Sequence, residues 1–315
     1  MSEDYDYNPG AWKGHDFSSA RKTYDAHAGR SYAKAQTSGV TAADMVAESL
    51  HTDSENPLVV MVDVTGSMGR WPATMFSKMP YLEIEGKEYL GDDMEISFGA
   101  IGDHKTGSKY PVQTAPFTSG LDLAKQLEWL VVEGGGGANQ QESYLAGALY
   151  YASNCEMPNA TRKPLFVFVA DESPYDSISV ADAKRVSKVD IARSMTAKQV
   201  FALLQEKFSV YLVYKSYSPA SRATWASLIG EDHIADLDDA DRVVDVIFGI
   251  MAKETGRVGY YRDEITGRQT AAQVDTAYRA LHTIHAADPR LDLLMDGQSR
   301  MHVADDDATP STDLI

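Results

Sequence analysis

The chain predicts an α/β fold built on a doubly wound, mostly parallel sheet of Rossmann type with one short antiparallel strand, and three observations carry that expectation. Leu58-Val59-Val60-Met61-Val62 and Leu165-Phe166-Val167-Phe168-Val169-Ala170 are apolar without alternation, as strands covered on both faces are. Each run delivers an aspartate, Asp63 or Asp171, to its carboxyl end, where open α/β sheets place ligands. Between and beyond them, short strand patterns alternate with helix-length stretches, the rhythm of βαβ units.

Taken in order, residues 1–16 carry Pro9-Gly10 and the aromatics Tyr5, Tyr7 and Trp12 without periodicity, and read as an arm. Ala20, Tyr24, Ala28 and Tyr32 step by four, which predicts a helix over Phe17–Gln36; a second short helix fits Thr41–Leu50. After the first strand, Met68, Trp71, Met75, Met79 and Leu82 recur at steps of three and four, the apolar face of one helix. A second strand is expected over Met94–Ile101, ending at Gly102-Asp103-His104, and a short antiparallel one over Lys109–Thr114. Leu123, Leu127, Leu130 and Val131 mark a helix that stops at Gly134–Gly137, and Leu145, Ala148, Leu149 and Ala152 face inward from the next. Asp171–Val189 is either an irregular loop or a weak helix. Thr196-Ala197-Lys198-Gln199 has the form of a capping box opening a helix through Phe208. Strand 209–214, helix 219–229, strand His233–Leu237 and helix Asp238–Met251 complete the alternation, and one more helix fits Thr270–Ala286. The expected division is an arm with helices over 1–55, the α/β domain over 56–253, and a C-terminal helix with an acidic tail (Asp305-Asp306-Asp307) over 254–315.

Composition narrows the function classes. Of 315 residues, 43% are hydrophobic and 24% charged, and no stretch approaches the ~18 apolar residues of a membrane span. The start, Met1-Ser2-Glu3-Asp4-Tyr5-Asp6, lacks the basic-then-apolar order of a secretion signal, so the cytoplasm is the expected compartment. Cys155 is the single cysteine, which excludes an internal disulfide and a thiolate zinc site. With 46 acidic against 29 basic side chains, the net charge of −17 repels nucleic acid and anionic membrane and attracts divalent cations and basic protein surfaces.

Asp63, Thr65 and Ser67 alternate through a strand-to-helix turn and offer hard oxygen to a small cation, and Asp171 can add another from the later strand. The same residue types also cap helices without any metal. The glycine run could cradle a phosphate through its N–H groups, but no Gly-Lys-Ser/Thr follows it.

The run Asp63-Val64-Thr65-Gly66-Ser67-Met68 resembles the D-x-S-x-S of the metal-ion-dependent adhesion site (MIDAS) in von Willebrand factor A (VWA) and integrin I-like domains, with Thr65 keeping the hydroxyl of the first serine. In motif style it is similar to bacterial, phage and alpha-kinase-linked VWA domains: Asp103-His104, Gly136-Gly137 with Glu142, and Asp171-Glu172-Ser173-Pro174 resemble their later loops, in the same order. The family's second-loop threonine has no counterpart between Gly134 and Ser143, and Asn139 or Glu142 is the stand-in. The resemblance implies a VWA-like fold over about residues 56–253. It also implies a Mg²⁺ or Mn²⁺ site drawn from Asp63, Thr65, Ser67, Asn139, Glu142 and Asp171.

The function this implies is a metal-dependent protein-binding module, an adaptor or assembly component rather than an enzyme, whose ion is completed by a partner's Asp or Glu. An AAA-type ATPase or further copies of the chain are candidate partners; nucleic acid and membrane are not. The tail acids Asp305–Asp307 could themselves enter the metal site of the same or a neighbouring copy. Two alternatives stand beside this reading. One is a metal-dependent hydrolase or phosphatase using the same pocket, although a haloacid-dehalogenase-like phosphatase needs a carboxylate where Thr65 stands. The other is a structural protein of a phage or multi-protein particle.

Overall fold

The computed structural model describes residues 40–120, 123, 130–133 and 139–285. The expected helices over Phe17–Gln36 and Leu123–Val131, the glycine run and the acidic tail lie wholly or mostly outside these residues.

A six-stranded sheet forms the centre: β1 (Leu58–Asp63), β2 (Ile96–Ile101), β3 (Val112–Thr114), β4 (Leu165–Ala170), β5 (Ser209–Tyr214) and β6 (Ile234–Asp236), in spatial order β6-β5-β4-β1-β2-β3. All neighbours pair parallel except β3, which runs antiparallel to β2. The doubly wound, mostly parallel architecture expected from the sequence is therefore present. The chain lays β1, β2 and β3 outward in one direction, then returns to the other side of β1 to lay β4, β5 and β6. The strand order reverses between β1 and β4, so the crevice at their carboxyl ends is the natural ligand position.

Alternation within each strand sorts side chains onto two cores. Leu58, Val60 and Val62 of β1, Leu165, Val167 and Val169 of β4, and Val213 of β5 face one layer of helices. That layer holds α1 (Trp71–Ser77), α2 (Met79–Leu90), α7 (Val243–Thr255), α8 (Val258–Arg268) and α9 (Ala271–Ala280). Val59, Met61, Phe166, Phe168, Val210 and Leu212 face the other layer, which holds α3 (Tyr144–Asn154), α4 (Val180–Ser187), α5 (Ala197–Lys207) and α6 (Pro219–Ile229). Gly147 brings α3 directly onto the sheet, since a Cβ there would run into Met61 and Ile101.

Several elements differ from expectation. The helix after β1 is broken at Lys78, which ends α1 and begins α2, because Pro80 has no N–H to give the carbonyl of Phe76. Residues 41–50 form a short 3₁₀ turn, Ala42–Met45, and then Leu50–His51 pairs parallel with Cys155–Glu156. In the 171–189 stretch, the helix alternative holds for α4, whose N-cap Ser179 accepts from Asp182 N. The capping box at Thr196 is present and opens α5. The apolar core also continues past residue 253: Val258, Tyr261 and Ile265 of α8 and Val274, Ala277 and Leu281 around α9 pack with α7. Among the described residues, no helix is long and apolar enough to cross a membrane.

Candidate functional site

Four loops meet above the carboxyl ends of β1 and β4. Backbone bonds stitch them together: Val64 N donates to Ile101 O, Ser143 N to Gly102 O (3.1 Å), and Gln141–Glu142 pairs parallel with Ser173–Pro174. Gln140, at φ 62, turns the chain through the left-handed region just before Glu142 enters the cluster.

Asp63 closes β1 on the face that α3 covers. Its Oδ1 accepts from the N–H (2.8 Å) and the hydroxyl (2.6 Å) of Thr65, and its Oδ2 accepts from the phenol of Tyr144. The hydroxyls of Thr65 and Ser67 lie 3.2 Å apart, and Ser67 Oγ donates to Asp171 Oδ1 at 3.1 Å. A continuous polar chain thus links the first and last loops, 63–67 and 171, across the switch point. Helix capping does not explain it. The 3₁₀ turn Gly66–Met68 follows Thr65 without a side-chain cap, and Arg70 leads α1 without one. The hydroxyls point at carboxylates instead.

Asp63, Asp171 and Glu142 each have 0% exposure, and Glu172 has 1%. Burial, and then the charge of Asp171, pushes Asp63 up to about 7. Burial pushes Glu142 well above the carboxylate range, with Asp63, Asp103 and Glu172 adding repulsion, and Glu172 rises for the same kind of reason. Both carboxyl oxygens of Glu142 and Oε2 of Glu172 are buried away from any N–H or hydroxyl among the described residues, and the two carboxyls meet each other, close enough to share a proton. Acids that meet acids at this depth are costly to ionise, and a cation would relieve that cost.

The other expected residues fall into place around this centre. Asn139 turns to Tyr175, donating to its phenol at 2.7 Å, while its Oδ1 accepts from Gln141 N at 3.2 Å. Asp103 accepts from Tyr175 OH (2.7 Å), Lys105 N (2.9 Å) and the Thr106 hydroxyl. His104 Nδ1 lies 2.8 Å from Ser143 Oγ, which also accepts from His104 N at 2.9 Å. This pair has the form of a nucleophile and its base, but Ser143 is at 0% exposure and serves to tie two loops.

Two site residues escape a reading of local motifs. Tyr144 opens α3 and reaches Asp63 from 81 positions away. Lys215 follows β5, and its ammonium donates to Ser67 O at 2.6 Å and to Asp171 Oδ2 at 3.0 Å. For Lys215 a signal exists: β5 runs in register with β4, Tyr214 opposite Ala170, so the next residues on each strand are neighbours.

No family model matches the chain, and no curated protein matches it in sequence. Solved structures resemble it in shape. One is the pilus adhesin SpaC from Lactobacillus rhamnosus GG, at 11% identity and TM-score 0.45, covering 71% of this chain and 32% of that one. Another is a von Willebrand factor type A structure from Catenulispora acidiphila, at 18% identity and TM-score 0.36, covering 64% of this chain and 42% of that one. The chain therefore spans less than half the length of either. By its strand order, its single antiparallel edge strand and the place of Asp63 and Asp171 at the switch point, the chain has a doubly wound, mostly parallel α/β fold.

Proposed function

We propose that the chain is a cation-dependent protein-binding module in which Mg²⁺ or Mn²⁺ sits among Thr65, Ser67, Asp63, Asp171 and Glu142, and a carboxylate from a protein partner completes its coordination. The observation that carries this reading is the hydrogen-bonded run Asp63-Thr65-Ser67-Asp171, beside a buried Glu142 whose carboxyl meets that of Glu172 and no N–H or hydroxyl among the described residues. Among the described residues, no three carboxylate, imidazole or thiolate side chains form a ready metal cluster, so an ion here would need the two hydroxyls. That donor set suits a small, hard cation that keeps water and leaves a position open. Asn139, turned toward Tyr175, is the weaker stand-in for the second-loop ligand, and Glu142 the stronger.

The chemistry supplied by the bound ion is electrostatic. Held by Asp63, Thr65, Ser67, Asp171 and Glu142, it would supply the positive charge that attracts a partner's carboxylate, while the surrounding loops select the partner. Binding rather than catalysis is favoured because Thr65 occupies the place where a second carboxylate would serve a phosphatase, and Ser143 is sealed from solvent. Adaptor or assembly work, with an AAA-type ATPase or further copies of the chain as partner, is the corresponding biological role.

Thermal melts of wild type and Asp63→Ala, in chelator and then in ~1 mM Mg²⁺, test the reading. For a site with Kd of ~0.1 mM, mass action adds about 1.4 kcal/mol, a rise of about 2–3 °C for a chain of this size. The rise is expected in wild type and absent in Asp63→Ala. Equal behaviour of the two proteins would remove the metal site. Capture of carboxylate-bearing protein partners in Mg²⁺ but not in chelator extends the test from ion to function.

A further inference from the structure

We infer that Lys215 is a tethered internal cation that competes with the divalent ion for Asp171 and thereby sets the ion affinity of this site. The inference rests on the cation-site reading above and adds a residue that the local motif does not contain.

Register puts Lys215 there. Tyr214 pairs with Ala170, and Lys215 N continues the ladder by donating to Ala170 O at 2.9 Å, so Lys215 and Asp171 leave adjacent parallel strands side by side. The ammonium then folds back over the site. It donates to Ser67 O at 2.6 Å and to Asp171 Oδ2 at 3.0 Å, while Ser67 Oγ takes Asp171 Oδ1. Both oxygens of a fully buried carboxylate are thus engaged, one of them by a positive charge.

An ion held through Ser67 Oγ and Asp171 would share the Asp171 carboxylate with that ammonium, which already takes its Oδ2. Two positive charges this close repel strongly, because the buried carboxylate between them is poorly screened. The lysine is built to yield: its side chain keeps 23% exposure, and a flexible four-carbon stem lets the charge swing into water. Without an ion the same ammonium pairs with Asp171, the carboxylate whose charge bears on Asp63. The site is therefore held together without an ion and binds one less tightly than its acid content alone would give.

The test is calorimetric titration of the full chain with Mn²⁺ for wild type, Lys215→Met, Lys215→Gln and Lys215→Arg. Both neutral variants are expected to bind Mn²⁺ about tenfold more tightly, and Lys215→Arg to stay near wild type. A residue that only braced the loops would loosen binding when removed. If Lys215→Met and Lys215→Gln bind no better than a wild type that does bind, the inference falls and the cation-site reading stands. Tightening in Lys215→Arg as well would also overturn it, since charge would not be the cause. Binding in the neutral variants but not in wild type would keep the inference and remove the cation reading for the native chain. No binding in any of the four proteins would end both. Gln is the second neutral variant because its amide can still donate to Ser67 O if Met unsettles the loop.

Discussion

Among the described residues, two clusters of charged side chains follow opposite rules. Beneath the start of α7, acids and bases alternate. Arg242 Nη1 donates to Asp245 Oδ2 at 2.9 Å, Arg268 Nη1 lies 3.6 Å from Asp245 Oδ1, and Gln269 Nε2 adds a bond at 3.3 Å. Lys78 donates to the carbonyl of Asp241, whose carboxylate Arg70 meets at 3.2 Å. Burial pulls Lys78 down to about 8 against the opposing pull of Asp245. Above β1 and β4, by contrast, Asp63, Glu142, Asp171 and Glu172 crowd together, and Lys215 is the cation placed among them. Charge of the first kind meets its opposite and holds helices together, although burial still lifts Asp245 above the usual carboxylate range. Uncompensated charge of the second kind is tolerated at a cost to stability, and it marks the site prepared for something from outside.

The largest effect that would break this contrast comes from the balanced cluster. Asp245→Ala removes the carboxylate that Arg242 and Arg268 share in the interior, and the expected loss is about 3–5 kcal/mol, read by urea unfolding at pH 7. A loss below about 1 kcal/mol would show that these cations do not depend on Asp245.

How much of this was legible depends on how far apart in sequence the cause lies. β1, β4 and β5 could be read because strands buried on both faces must be apolar at every position, as Leu58–Val62 and Leu165–Ala170 are. Asp63, Thr65, Ser67 and Asp171 could be read because one turn and two strand ends place them. α8 could not: Val258, Tyr261 and Ile265 face inward among two glycines and several charges, too sparse a stripe to stand out. Nor could the charge balance. Tyr144 reaches Asp63, and Lys215 reaches Ser67, only through sheet register and helix docking, which a local pattern does not encode.

The acid-rich cluster predicts an effect of the opposite sign. Asp63 sits at about 7 in the fold against about 4 in an unfolded chain, so its ionisation on folding is disfavoured. Its contribution is most favourable below the unfolded value and is lost as pH rises through about 7. Asp63→Asn should therefore make the chelated protein more stable at pH 8, by about 2 kcal/mol after allowance for relaxation around the charge. The same variant should lose the rise in melting temperature with Mn²⁺. A chelated variant less stable than wild type at pH 8 would mean that the carboxylate is compensated after all.

The smallest effect separates uncompensated charge at the site from uncompensated charge elsewhere. Glu85 on α2 is buried against α8, where Tyr260 OH donates to it at 3.1 Å, and burial with Glu264 and Glu88 nearby pushes it up to about 7. It too stabilises the fold at low pH and loses that contribution as pH rises through about 7, so Glu85→Gln should gain about 1 kcal/mol at pH 8. Glu85 starts from a higher ordinary value than Asp63 and reaches the same one, about 7, so its gain is smaller than that of Asp63→Asn. Saturating Mn²⁺ then tells the two apart. An ion among Asp63, Asp171 and Glu142 neutralises the first group and flattens its share of the slope between pH 5 and 8, while the Glu85 share persists because Glu85 lies between α2 and α8, away from that ion. Melts of wild type, Asp63→Asn and Glu85→Gln across that range, with and without Mn²⁺, should show a metal-sensitive slope in wild type and Glu85→Gln and none in Asp63→Asn. If Mn²⁺ left the slope of Glu85→Gln unchanged, the crowded acids above β1 and β4 would not differ in kind from a buried glutamate between two helices.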